Sequence, residues 1–234
     1  MIELKCECQT CPVLATLREG GFRMADVAAF TCLFQPIAVA KDQTIFSHGA
    51  EARLIYALKT GTVKIVDDQG DGHGRIKRMV SSGSLFGLEA IQDSIYPARA
   101  VAVGQCTICA APRGALVDSI GRRPDLALSL IRFLIRDGNA GYQQGATGGH
   151  RSARTKIAAF LFSLLPPDAA GAEPLPALAL RLPLSRQEVG DLLGLSAETV
   201  SRAFTALRRR GVIQARGRRL VFSNVAELRR LAGS

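Results

Sequence analysis

Residues 184–211 read LSRQEVGDLLGLSAETVSRAFTALRRRG, and this segment carries the strongest structural signal in the chain. Ser185 is followed three residues later by Glu188, a capping-box pattern that predicts the start of a short helix. Gly194 predicts a tight turn after that helix, and Ser196 is placed to cap a second one. Two short helices joined by a glycine turn are typical of a helix-turn-helix, whose second helix enters the major groove of DNA.

The second helix carries polar side chains on one face. The positions i, i+3, i+4 and i+7 of that face are occupied by Glu198, Ser201, Arg202 and Thr205. An arginine can donate two hydrogen bonds to guanine, and a glutamate can accept one from the N4 amine of cytosine. Alternatively, Glu198 and Arg202 form an ordinary i, i+4 ion pair, worth roughly 0.3–0.5 kcal/mol. We favour base reading, because a glutamate in an otherwise basic face would repel phosphates.

The positive charge of the chain is concentrated in its last third. The chain holds 30 Lys and Arg against 20 Asp and Glu, a net charge of +10. Residues 151–234 hold 14 of these basic residues and 6 of the acidic ones, which leaves +8 there and +2 in residues 1–150. Clustered arginines bind polyanions because they release counterions. The charge alone is equally consistent with a solvated basic face, but beside a helix-turn-helix it indicates nucleic acid.

A hairpin with a basic tip follows the helix-turn-helix. Residues 213–222 are apolar on both sides of Arg216-Gly217-Arg218, which predicts a wing suited to the DNA backbone. The expected DNA contacts outside the base-reading set are Arg186, Arg209 and Arg218. These features predict sequence-specific DNA binding. An enzyme is not expected, because the sequence shows no nucleophile–base pairing and no phosphate loop.

The pattern changes between Pro36 and about Leu116. Short β-rich runs separated by glycines predict a β-roll or sandwich there. The expected strands are 44–46, 54–58, 62–66, 75–80, 99–103 and 106–109. The sequence GDGHG at 70–74 suits a hairpin tip, because glycine adopts positive φ at little cost.

Helical periodicity follows from Pro124 to Leu165, in one piece or two. The apolar face of this region comprises Leu126, Leu130, Ile131, Leu134 and Ile135. Four glycines continue the same seam, namely Gly138, Gly141, Gly145 and Gly148. Each glycine costs a helix roughly 1 kcal/mol relative to alanine, so the favoured interpretation is a break between two helices. The alternative is a glycine seam through which two helices approach closely in a dimer.

The predicted fold class is α+β with three parts. Residues 1–120 form a cysteine-bearing segment and a β-roll sensor, 121–165 a dimerisation helix region, and 166–234 a winged helix-turn-helix that begins with a Pro-, Gly- and Ala-rich linker. With 234 residues, 47% of them hydrophobic, the chain can bury a core without disulfide staples. It contains no apolar run near the ~18 residues of a membrane helix and no start resembling a signal peptide. A soluble, cytoplasmic protein without membrane association is expected.

The six cysteines are unevenly spaced. Cys6, Cys8 and Cys11 fall within six residues, Cys106 and Cys109 form a second pair, and Cys32 stands alone. In a reducing compartment such clusters bind metal or respond to redox state more often than they form structural disulfides.

The succession of a β-roll, a helix and a helix-turn-helix ending in ETVSRAF resembles the Crp–Fnr family of bacterial transcription regulators over nearly the whole chain. The family's E-x-x-S-R base-reading set falls on Glu198, Ser201 and Arg202. The resemblance implies a cupin-like roll of the cyclic-nucleotide-binding type and a homodimer. It also implies double-stranded DNA with TTGAT-like half-sites in an inverted repeat, and RNA polymerase as a further partner.

The stretch that binds cyclic nucleotide in some family members departs from their pattern here. The family's cassette has G-E-L and, further on, R-S or R-T. In this chain Leu88 stands where the glutamate is expected and Ala98 where the arginine is expected. Glu89 and Arg99 are near-register substitutes, but the departure makes a nucleotide effector the weaker interpretation.

The same stretch is similar to the V-G-F-D-A-I of the oxygen-sensing fumarate and nitrate reduction branch of the family. That branch holds an iron–sulfur cluster with N-terminal cysteines and one cysteine from the roll, whose surroundings match Ile108-Cys109-Ala110-Ala111-Pro112. The resemblance implies a cluster, of the 4Fe-4S type, at Cys6, Cys8, Cys11 and Cys109. The spacing differs from the branch, because Cys6 precedes the C-x-x-C pair and no third cysteine follows it closely.

Alternative sensors stay open at this point. The same four thiolates suit a structural zinc. A metal-free thiol switch and a small-molecule effector in the roll are further alternatives. Cys106 is three residues from Cys109, so in a strand it faces the opposite side and is the weaker ligand candidate. A short helix is expected at Met24–Leu33, and Cys32 within it is expected to be a buried thiol.

Overall fold

The computed structural model describes residues 11–19, 22, 31–68, 74–145, 152–165, 178–182 and 184–233. The chain divides into two compact units, Met1–Ala140 and Gly141–Ser234. The elements of the first part are α1 Pro12–Glu19, β1 Gln35–Val39, β2 Thr44–Phe46, β3 Leu54–Thr60, β4 Val63–Asp67, β5 Arg75–Val80, β6 Leu85–Phe86, α2 Ala90–Asp93, β7 Arg99–Ala102, β8 Cys106–Pro112, α3 Arg113–Arg122 and α4 Pro124–Gly145. Those of the second part are α5 Ala153–Ser163, β9 Leu178–Arg181, α6 Arg186–Leu193, α7 Ala197–Arg209, β10 Ile213–Arg216, β11 Arg219–Phe222 and α8 Val225–Ala232.

The first unit contains the predicted β-roll. Its strands form two antiparallel sheets, in the orders β1-β8-β3-β6 and β2-β7-β4-β5. The roll interior is apolar and is centred on four aromatic rings whose stacked centroids lie 3.9–6.1 Å apart. These rings belong to Phe46, Tyr56, Phe86 and Tyr96. The roll together with the helix-turn-helix of the second unit confirms the predicted fold class.

A second apolar cluster covers the outer face of the β1-β8-β3-β6 sheet. Leu17 of α1 is fully buried there, beside Ile55 and Ala57 of β3. Helix α4 contributes Leu126 and Phe133, which are 0% and 1% exposed. The periodicity of the sequence did not predict α1, because its apolar positions occupy only two turns. Helices α3 and α8 were also not predicted.

Helix α4 continues without interruption through Gly138 and Gly141 to Gly145. The predicted break is therefore wrong over this range, while Gly148 lies outside the described residues. Part of the predicted apolar face, Leu126 and Leu130, packs into the outer cluster. The other part remains on the surface of the chain, and its most exposed members are Ile131 at 52% and Ile135 at 59%. Several large apolar side chains exposed side by side are typical of an interaction site.

The second unit contains the predicted helix-turn-helix. The Ser185 hydroxyl accepts from the Glu188 amide while the Glu188 carboxylate accepts from the Ser185 amide, which completes the capping box. Gly194 ends α6 at φ +64°, a left-handed conformation that favours glycine. Ser196 caps α7 through the Thr199 amide. The wing follows as the hairpin β10–β11, which β9 extends to three strands.

Three further predicted features fall outside the described residues. The helix expected around Met24–Leu33 lies largely there, as do residues 70–73 of the predicted hairpin tip and the whole linker at 166–176. Among the helices that the structure describes, none is both long and apolar enough to cross a membrane.

Candidate nucleic-acid interface and thiol site

The predicted base-reading face of α7 is open to solvent. Arg202 Nη2 donates to Glu198 Oε1 at 2.6 Å, and the two side chains are 79% and 72% exposed. The i, i+4 ion pair that the sequence offered as the alternative therefore forms in the isolated chain, where it holds both side chains on one side of the helix. An exposed pair of this kind contributes little to stability, so it leaves the two groups available to bind bases.

The two hydroxyl groups on the same face donate to the helix backbone. Ser201 Oγ donates to the Ala197 carbonyl at 2.9 Å, and Thr205 Oγ1 donates to the Ser201 carbonyl at 3.0 Å. Each hydroxyl oxygen keeps acceptor capacity in this arrangement. The face therefore presents one guanidinium, one carboxylate and two hydroxyl groups within two helical turns.

Arg186, the first residue of α6, packs against the recognition helix. Its guanidinium carbon lies 3.3 Å from the centre of the Phe204 ring, a cation–π contact. Burial lowers the pKa of Arg186. Its Nη1 atom is buried and has no hydrogen-bond partner among the described residues. An acceptor from a ligand would satisfy this nitrogen.

Arginines line two clefts beside the recognition helix. One cleft of about 470 Å³ separates α7 from the wing tip, and Arg186, Arg208 and Arg218 line it. A larger cleft of about 850 Å³ lies between α7 and the wing strands, with Arg209, Arg216 and Arg219 in its lining. The structure thus places Arg186 and Arg218 in the first cleft and Arg209 in the second, and Thr205 of the base-reading face lines both. Arg208 was not among the predicted contacts, although the run of basic residues at 208–210 contains it.

The described members of the predicted ligand set lie together on the outer face of the roll. Cys11 is buried directly before α1, and Cys109 of β8 packs half-buried against the same apolar cluster. Burial raises the pKa of Cys109, the nearby Cys11 raises it further, and the Lys59 ammonium lowers it. Cys6 and Cys8 lie outside the described residues. Two of the four predicted ligands are therefore neighbours.

Cys106 occupies the opposite side of β8, as the strand alternation predicts. It is 1% exposed in the roll interior, and its thiol donates to the Thr62 carbonyl at 3.2 Å. Cys32, which the sequence predicted to be a buried thiol, is exposed. It lies in a turn that directly follows Thr31. Within the described ranges no three His, Cys, Asp or Glu side chains converge on a metal site.

The nucleotide cassette is occupied by internal contacts. Arg99 forms two hydrogen bonds to the Asp68 carboxylate, both at 3.0 Å, and this arginine holds the pKa of Asp68 below its ordinary value. The aromatic rings and the small side chains of Ala98, Ala100 and Ala102 fill the interior. Arg99, the near-register substitute for the cassette arginine, is thus paired with Asp68 in this structure.

Two protein families match this chain. Residues 155–231 match the Crp-like helix-turn-helix domain, and residues 36–122 match the cyclic nucleotide-binding domain. Both matches coincide with the units that contain the helix-turn-helix and the roll.

Individual relatives cover most of the chain. Regulatory protein HlyX of Actinobacillus pleuropneumoniae is 30% identical over 190 residues, covering 81% of this chain and 78% of the relative. The fumarate and nitrate reduction regulatory protein of Escherichia coli (strain K12) is 28% identical over 196 residues, covering 83% and 77%. The structure of FixK2 from Bradyrhizobium japonicum superposes with a TM-score of 0.68 at 27% identity, covering 86% of this chain and 98% of that one.

Proposed function

The chain belongs to the Crp–Fnr family of DNA-binding transcription regulators, and we propose that it senses oxygen, nitric oxide or redox state through an iron–sulfur cluster. The observation that carries the sensor proposal is the meeting of Cys11 with Cys109 on the outer face of the roll. These two cysteines are 98 residues apart in sequence, so only the fold brings them together. The similarity to the fumarate and nitrate reduction regulatory protein also supports the sensor proposal.

The residues present fit a cluster as far as the structure describes them. Iron–sulfur clusters are held by cysteine thiolates, and the site offers one thiol from a rigid strand and one from the start of a helix. Cys6 and Cys8 precede that helix by a few residues, which places them within reach of the same point. The proposed ligands are therefore Cys6, Cys8, Cys11 and Cys109. The bound cluster, which we propose to be 4Fe-4S, would supply a centre that reacts with oxygen or nitric oxide.

The protein's own part in sensing is to connect the ligands to the packing of the roll. Cys11 directly precedes α1. Leu17 of α1 is fully buried in the outer apolar cluster, which also contains Phe133 of α4. Ligation of Cys11 and Cys109 would therefore hold α1 on the sheet and stabilise one packing of α4, and loss of the ligand bonds would weaken that packing. Two packings with different ligation are what a signal needs in order to shift an equilibrium.

Helix α4 is the proposed dimerisation surface. Regulators of this family act as dimers, and the exposed stripe of α4 consists of large apolar side chains next to its buried face. We thus assign sensing to residues 1–120, dimerisation to residues 121–165 and DNA binding to residues 166–234. Two copies related by symmetry would present two recognition helices to an inverted repeat.

We assign base reading to Glu198, Ser201, Arg202 and Thr205. Phosphate contacts are assigned to the arginines that flank them, namely Arg186, Arg209 and Arg218. The exposed ion pair of α7 supports this division, because Arg202 and Glu198 together suit a guanine next to a cytosine. The proposed target is an inverted repeat of TTGAT-like half-sites, and RNA polymerase is the proposed partner at the promoter.

The function is tested by comparing anaerobic protein before and after exposure to air. Sedimentation at equal concentration measures the dimer, and titration of a labelled inverted repeat measures DNA affinity at one stated salt concentration. The proposal predicts that air lowers both together. Equal dimerisation and equal affinity in the two samples would contradict it and leave a regulator whose cysteines hold zinc or no metal.

A further inference from the structure

The wing presents two arginines side by side on its open face. In the hairpin β10–β11, Arg216 pairs directly with Arg219, and Gln214 pairs with Val221. Residues directly opposite each other in an antiparallel pair project to the same face of the sheet. The neighbouring Leu220 is buried, so its face covers the core and the arginine pair lies on the opposite, open face. Like charges directly opposite each other repel, so the open face of the wing favours an anion.

The tip of the wing is held in place by its backbone. Arg216 and Arg219 flank the two-residue loop Gly217-Arg218, in which Gly217 adopts φ +58°, a conformation that favours glycine. The Leu182 amide, directly after β9, donates to the Arg218 carbonyl at 2.6 Å. The third strand therefore braces the loop, and the arginine pair is presented from a fixed position.

The arginine pair has no carboxylate partner in the described part of the chain. Arg216 and Arg219 are exposed, and no ion pair joins either of them to a described Asp or Glu. Other arginines of the same unit differ, because Arg230 pairs with Glu227 at 2.7 Å and Arg210 approaches the same side chain at 4.0 Å. The charge of the wing is therefore available to a partner outside the chain.

The cleft of about 850 Å³ between α7 and the wing has arginines on both of its walls. Arg208 and Arg209 belong to the α7 wall, and Arg216 and Arg219 belong to the wing wall. Thr205 of the base-reading face also lines this cleft, so the cleft borders the surface that would enter the major groove. A sugar–phosphate strand runs along the edge of a major groove, and the minor groove lies beyond that strand. A cleft that holds this strand between two basic walls therefore brings the wing tip to the minor groove.

Resting on the proposed function, we propose that Arg216 and Arg219 bind the minor groove beside the half-site and favour A·T-rich flanking sequence. A·T tracts have a narrow minor groove with an enhanced negative potential, which attracts arginine side chains. Gln214 on the same face offers an amide of the kind that minor-groove proteins use. This preference concerns the shape of the flanks, so it is distinct from the base reading assigned to α7.

The test is a titration of full-length, anaerobically purified protein with labelled duplexes at one stated salt concentration. The duplexes carry the same inverted repeat of TTGAT-like half-sites, and their flanks are A·T, G·C or inosine·cytosine. Inosine lacks the N2 amine of guanine, so the third flank combines the minor-groove groups of A·T with the major-groove groups of G·C. A duplex with a shuffled repeat is the non-specific reference.

The protein variants remove charge from the wing or from elsewhere in the same unit. Arg216→Gln, Arg219→Gln and the double variant change the proposed pair. Arg229→Gln is the matched control, because Arg229 is an exposed arginine of α8 that lines neither cleft beside the recognition helix. Thermal unfolding establishes that each variant is folded.

We expect the wild-type protein to bind duplexes with A·T and inosine·cytosine flanks about tenfold more tightly than those with G·C flanks. The double variant should bind all duplexes more weakly and lose most of this preference, whereas Arg229→Gln should keep it. A wild-type protein that binds the repeat equally with all flanks, or a double variant that keeps the full preference, would overturn this inference alone. A wild-type protein that binds the repeat no better than the shuffled duplex would overturn the proposed base reading, and the role of the arginine pair with it.

Discussion

The recognition helix and the thiol site are assembled in opposite ways. The helix-turn-helix and wing occupy one contiguous segment, 184–222, whose caps, turn and reading face are all local in sequence. The thiol site joins the start of α1 to the middle of β8, which pairs there with the middle of β3. Sequence therefore predicts the first in detail, whereas the second depends on long-range packing. The difference also suits their proposed roles. A sensor needs contacts that break when the signal arrives, whereas a recognition helix needs a structure that stays the same.

The largest effect is expected from removing the strand ligand of the thiol site. Cys109→Ser should abolish stable iron and acid-labile sulfide in anaerobically purified protein, because a cluster needs thiolates. Cys32→Ser is the matched control, since Cys32 is exposed and outside the outer cluster, and it should retain full iron content. Equal iron in the two variants would remove Cys109 from the ligand set.

Truncating one core phenylalanine in each region tests whether the two regions function independently. Phe204 is 3% exposed beneath Arg186, and Phe133 is 1% exposed in the outer apolar cluster that contains Cys11. Truncating either to alanine should lower the free energy of unfolding by about 3–5 kcal/mol. Phe204→Ala should reduce DNA binding with normal iron content, whereas Phe133→Ala should reduce iron retention. If each folded variant lost both DNA binding and iron retention, the two regions would not be independent.

Base reading is tested by a single arginine. Arg202→Ala should cost about 1–3 kcal/mol on a matching inverted repeat and relax the preference at one base position. Competition titrations against matched and shuffled DNA measure this. An equal loss on both DNAs would mean that Arg202 contacts phosphate.

The smallest effect is expected at Arg186. Arg186→Met keeps an apolar group over the Phe204 ring but removes the buried Nη1 that lacks a partner. Binding to DNA should weaken equally for all sequences. The plot of log affinity against log salt concentration should become shallower, its negative slope losing about one in magnitude. Arg122→Met, in the other unit, is the control and should change neither. An unchanged slope for Arg186→Met would assign Arg186 to packing alone.

The sequence predicted the fold where the determining signal is short-range. The Ser185–Glu188 capping box and the Gly194 turn, like most of the roll strands, lie close to their predicted positions. The prediction failed at Gly138–Gly145, because helix propensity alone does not describe a helix that is already held by Leu126 and Phe133.

The candidate sites show the same limit. The cation–π contact of Arg186 with Phe204 joins two helices, so no local pattern indicates it. The exposure of Cys32 could not be read from its apolar neighbours, because Leu33 and Phe34 pack against the outer apolar cluster while Cys32 itself stays exposed. In each case the missing information is the tertiary partner.

The central claim is tested most directly by iron and acid-labile sulfide per chain, measured on protein purified without oxygen, before and after air. The account predicts a near-stoichiometric cluster that is lost on exposure to air. Zinc in its place, or no metal before air is admitted, would contradict the sensor and leave only the DNA-binding half of the account.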